Sequence, residues 1–157
     1  MEMEPFYVRF PKLAEKETRR VIITNEKSGL PLGEYGFMES YCNDPTCDCR
    51  RVFINVGYED KILATIGYGW ESLEFYEKWM GDAQLAPEVK GPVLELGGFQ
   101  SEYAESLLEL FKKVMLKDKV FIERLNKHYK MFKCQKYSQD AKSGLGSRMK
   151  NWFMKKN

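Results

Sequence analysis

The segment Tyr41-Cys42-Asn43-Asp44-Pro45-Thr46-Cys47-Asp48-Cys49-Arg50 places three cysteines within eight residues, in the pattern C-x4-C-x-C. A thiolate is a soft anionic donor. Three of them this close supply most of the shell of a zinc ion, which in structural sites takes four ligands in a tetrahedron with sulfur at about 2.3 Å. Asn43, Asp44 and Pro45 favour a tight turn, so the loop can fold the first thiolate back toward the other two. The chemistry expected of this knuckle is the binding of one structural zinc ion.

A fourth ligand must come from elsewhere in the chain or from water. His128 is the single histidine, and it lies on the apolar stripe of a helix predicted over 119–133. There a neutral imidazole could approach a metal beside a sheet, which makes His128 the expected ligand. A histidine on such a face is ordinarily a core residue hydrogen-bonded to a carbonyl, and only the ligand count argues for more. Cys134 is the competing thiolate, turned about 240° around a regular helix from His128. Asp44 and Asp48 are poorer donors that more readily organise the turn. Water in the fourth place would leave an open, catalytically usable position.

The spacing resembles the short zinc-binding cysteine motifs of the SEC-C type, which occur as appendages of many bacterial proteins. The adjacent Cys-Cys or Cys-His pair that ends that motif is absent here. The stretch from the knuckle with Arg50 and Arg51 to the helix carrying His128 and Tyr129 also looks like conserved proteins of uncharacterised function. The resemblance implies zinc and implies no activity.

Other constellations are sparse. With an open fourth position, Cys42, Cys47 and Cys49 could hold a metal that carries a reaction; left free of metal, the Cys47-x-Cys49 pair could act in thiol–disulfide exchange, with Arg50 lowering a thiol pKa. No G-x-G-x-x-G, Walker or G-x-S-x-G pattern is present, and one histidine limits histidine-based catalysis. Arg19, Arg20, Arg50 and Arg51, with Tyr35, Phe37, Tyr41 and Phe53, could form a face that pairs phosphates and stacks bases. Ordinary sheet composition explains the same residues as core aromatics alternating with solvated charges. By elimination, the expectation is a small zinc-binding interaction or adaptor module with a protein partner.

The elements that must position the knuckle are legible from periodicity. Val21–Thr24, Glu34–Tyr41, Arg51–Val56 and Lys61–Tyr68 read as strands joined by turns, an antiparallel meander with the cysteines between its second and third members. Val93–Leu96 could add a short extended segment. Phe75, Tyr76, Trp79 and Met80, stopped by Gly81, predict a helix over 71–80. Ser101 would cap a helix with Ala104, Leu107, Leu108, Phe111, Val114 and Met115 on one face, and Asp118 would cap the helix of His128. The fold class expected is α+β, about four strands against about three helices.

The 157 residues are 43% apolar and 31% charged, a composition that excludes a disordered chain and suits one domain over 1–134. Residues 135–157 carry six basic side chains against Asp140 and read as a basic, flexible tail, able to meet an acidic surface, nucleic acid or a partner groove. No apolar run approaches the roughly 20 residues of a membrane span, and Met1-Glu2-Met3-Glu4 does not open like a signal peptide. A cytoplasmic location is expected, where thiols stay reduced and clustered cysteines favour metal over disulfide.

Overall fold

A computed structural model of the chain describes residues 2–134. The basic tail expected over 135–157 lies outside the described residues. In chain order the elements are β1 (Met3–Pro5), α1 (Phe6–Arg9), α2 (Pro11–Glu17), β2 (Arg19–Ile23), β3 (Gly33–Cys42), β4 (Arg51–Tyr58), β5 (Lys61–Gly69), α3 (Leu73–Met80), α4 (Ala86–Lys90), β6 (Val93–Leu94), α5 (Ala104–Lys113) and α6 (Lys119–Cys134). The class is α+β as expected, with six antiparallel strands rather than four and six α-helices rather than three among the described residues. β6 falls within the short extended segment considered at Val93–Leu96, and the unforeseen elements are β1, α1, α2 and α4. Each has seven residues or fewer, too short for a period to show in sequence.

The expected meander is present as β3-β4-β5, and β6 extends it beyond β5. The outer edge of β3 is shared: β1 pairs with its end, Met3 opposite Cys42, while β2 pairs with its start, Arg19 opposite Phe37. Short α1 and α2 carry the chain out and back between these two pairings. Pro11 opens α2, where its missing N–H costs no helical bond.

Strand register decides which side chains face the helices. Phe37 lies opposite Val56, Glu39 opposite Ile54, and Ile54 opposite Ile66, so these residues share one face with Tyr41 and Val52. Leu107 and Phe111 of α5 and Phe121, Leu125 and Phe132 of α6 complete that core, all essentially inaccessible to water. Glu39 is the exception, a carboxylate buried in an otherwise apolar row.

Chain reversals follow their local signals. The Ser72 side chain accepts from the Phe75 N–H at the start of α3, and Gly81 ends that helix at φ 70°. Asp118 accepts from the Phe121 N–H at 3.2 Å, so α5 and α6 are two helices with a polar cap between them. Replacing Asp118 with alanine should cost about 1 kcal/mol, read as a shift in urea midpoint at unchanged slope.

Candidate metal centre

Cys42 is the last residue of β3, and Cys49 lies two residues before β4 begins, so one strand end and one strand start fix two of the thiols. The loop between them returns Cys47 to the pair. Its N–H donates to the Asp44 carbonyl at 3.2 Å, while Asp44 Oδ1 accepts from the Thr46 N–H at 2.9 Å and the Thr46 hydroxyl at 2.7 Å. This Asx turn is the one the Asn-Asp-Pro composition favours. The three Sγ atoms lie within 4.8 Å of one another. Tetrahedral thiolates on zinc stand about 3.8 Å apart, so only a small contraction separates the group from a coordinating set. Cys42 and Cys49 are buried and Cys47 is partly exposed.

Two helices hold the second turn of the knuckle. Arg50, immediately after Cys49, has φ 48°, a left-handed conformation that non-glycine residues rarely adopt. Both of its backbone polar groups are taken by phenols: its N–H donates to Tyr129 Oη of α6 at 3.3 Å, and its carbonyl accepts from the Tyr76 hydroxyl of α3 at 2.7 Å. The Tyr129 hydroxyl in turn donates to Asp48 Oδ1 at 3.2 Å. The Arg50 guanidinium pairs with Asp48 at 2.9 Å and Glu71 at 3.2 Å and lies 4.6 Å from the Phe75 ring centroid. At the other side of the loop, Lys133 Nζ donates to the Asp44 carbonyl at 2.7 Å.

The electrostatics around Cys47 do not favour a free nucleophile. Burial, then the neighbouring Cys49 and Cys42, push the Cys47 thiol up to about 12, so without an ion it keeps its proton at neutral pH. A divalent ion reverses that balance, since each coordinating sulfur must deprotonate. Burial likewise raises Tyr76 and Tyr129, and both hydroxyls stay protonated donors. The hydrogen bonds from Thr46 hold Asp44 below the ordinary carboxylate value, and those from Arg50 do the same for Asp48. Both aspartates are committed to organising the loop, and neither joins the sulfur group.

His128 does not close the site. It points inward from α6 as its stripe predicts, but its partners there are carboxylates: Nδ1 lies 2.6 Å from Glu39 Oε2 and Nε2 lies 2.6 Å from Glu17 Oε2. The ring stacks on Phe6 at 4.2 Å. Both nitrogens are engaged by carboxylate oxygens, and His128 does not join the sulfur group. Burial pulls its pKa down, but the hydrogen bonds and charges of Glu39 and then Glu17 outweigh it, and the net shift is upward. The Tyr41 hydroxyl adds a third bond, to Glu39 Oε2 at 2.8 Å. A cavity of about 10 Å³ beside Glu39 and His128 has room for roughly one water and none for a substrate.

The remaining expected donor, Cys134, ends α6 as an exposed thiol outside the group of three. The arginine face is also differently arranged. Arg19 pairs with Asp118, Arg20 with Glu34, Arg50 with Asp48 and Arg51 with Glu95, while Tyr35, Phe37 and Tyr41 are fully buried and present no ring to a base. Sequence reasoning missed Glu17, Glu39, Tyr76 and Tyr129. A carboxylate in an inward register of β3, opposite the only histidine, was the available signal for the first pair.

Comparison with known proteins gives no match to a family model, a curated protein or a solved structure. Among the described residues, no helix is long and apolar enough to cross a membrane.

Proposed function

We propose that the chain is a zinc-binding interaction module whose metal centre is Cys42, Cys47 and Cys49. The observation that carries this reading is the convergence of three sulfurs, from the end of a ten-residue strand, a turn and the residues leading into the next strand, within 4.8 Å. Soft thiolates select zinc among the common divalent ions of a reducing compartment, and the SEC-C-like spacing of the knuckle agrees with that choice. The ion would tie the β3–β4 connection at one end of the sheet, beside a groove of about 500 Å³ lined by Glu2, Met3, Glu4, Pro5, Val8, Arg9 and Asn43. A surface of that kind, next to a rigid knuckle, suits a protein partner.

The reading of a thiol-exchange enzyme is the weaker one, because Cys47, the accessible thiol, is held protonated rather than activated. Elemental analysis of protein purified without added metal is the test. About one zinc per chain is expected in wild type and in His128→Asn, with loss in Cys49→Ala. Wild-type protein without metal and with freely titratable thiols would sink the proposal.

A further inference from the structure

Zinc sites gain much of their affinity from groups that never touch the ion but fix the ligands that do. Around this knuckle those groups are unusually explicit. Cys49 sits between Asp48 and Arg50, and each of these neighbours is held by a phenol from a helix. The Arg50 N–H and the Asp48 carboxylate both bond Tyr129 Oη, at 3.3 Å and 3.2 Å. The Arg50 carbonyl bonds the Tyr76 hydroxyl at 2.7 Å. Arg50 itself occupies the left-handed region at φ 48°, where a non-glycine residue stays only if its surroundings over-determine it.

The tyrosines are themselves locked. Tyr76 is fully buried and Tyr129 nearly so. The Tyr76 hydroxyl fits against Gly69, where any Cβ would overlap it. The Trp70 ring packs edge-on against Tyr129 at 5.2 Å. None of these contacts uses a metal ligand atom, so the anchoring of the Asp48–Arg50 turn by α3, α6 and the end of β5 does not compete with coordination by Cys49.

We propose that Tyr129 and Tyr76 are the positioning residues of the metal centre, holding the Asp48-Cys49-Arg50 turn in its metal-binding shape whether or not an ion is bound. This deepens the zinc reading above and rests on it. It makes the centre a preformed receptor that can load and release metal without refolding, instead of a staple on which the fold depends. Tyr129→Phe and Tyr76→Phe remove one oxygen each and keep the ring that fills the core.

The test is cobalt binding by the full chain, read by its visible spectrum, alongside amide hydrogen exchange of the metal-free protein. In metal-free wild type the Arg50 amide should be protected from exchange, and Tyr129→Phe should release it. Each phenylalanine variant should keep its circular dichroism, bind cobalt about 10- to 100-fold more weakly, and show shifted d–d bands at saturation. A purely structural role would lower thermal stability and leave the saturated spectrum unchanged, and that result overturns the proposal. Free exchange of Arg50 in metal-free wild type overturns it too, even if a variant fails to fold. Wild type that takes up no cobalt overturns the metal reading itself, and the proposal with it.

Discussion

Replacing His128 with leucine should lower the unfolding free energy by about 3–5 kcal/mol, because it leaves the Glu39 carboxylate buried without its cation. Glu39 is only 4% exposed at its side chain and His128 1%. Removing both charges should recover much of the loss, since a well-packed apolar pair of similar volume needs no desolvation. The double variant Glu39→Leu/His128→Leu is therefore expected to be more stable than His128→Leu alone in urea titrations. A single variant within about 1 kcal/mol of wild type would show that the pairing of His128 with Glu39 and Glu17 contributes little.

The same contacts set a pH window. The folded pKa of His128 is raised, so its stabilisation is fully present below the ordinary histidine value of 6.5 and is lost as pH rises through the folded value. The folded pKa of Glu17 is lowered; burial raises it, but the hydrogen bond and charge of His128 prevail. Its contribution is present above the ordinary value of 4.5 and fades as pH falls through the folded one. The difference in stability between wild type and His128→Leu should thus be largest between these limits and shrink on both sides. A difference that is flat with pH would refute the assignment of His128 as an imidazolium.

Metal affinity should instead rise steadily with pH. Burial, then the neighbouring Cys49 and Cys42, push the Cys47 thiol up to about 12, and it must lose its proton to coordinate. At neutral pH this thiol alone weakens binding by about tenfold for each unit that the pH falls, and any other protonated ligand thiol steepens the slope. Competition titrations between about pH 6 and pH 8 should show at least that slope. A slope near zero would mean that Cys47 is not a ligand. Chelation should lower the thermal midpoint by mass action while leaving the folded spectrum in place, as a preformed site requires.

The long elements and the cysteine group were legible in the sequence because their signals are local. Alternation over Glu34–Tyr41 and Arg51–Val56 marks half-buried strands, the stripe from Phe121 to Phe132 marks a helix, and C-x4-C-x-C with Asn, Asp and Pro between marks a turn that gathers thiols. The inward direction of His128 was legible for the same reason. Its partner was not. A helical stripe tells which way a side chain points, whereas what it meets depends on the register of β3 and on where α2 ends, 89 and 111 residues away in the chain. The tyrosines that hold Arg50 were hidden likewise: Tyr76 and Tyr129 read as core aromatics, and only the packing of α3 and α6 against the end of β5 brings their hydroxyls to the backbone of one turn. Sequence alone thus determined the clustering of the three thiols and the faces of the long elements, which rest on neighbours within a few residues. The tertiary structure decided which buried polar groups pair, because the desolvation of each must be met by a partner that only the assembled fold supplies.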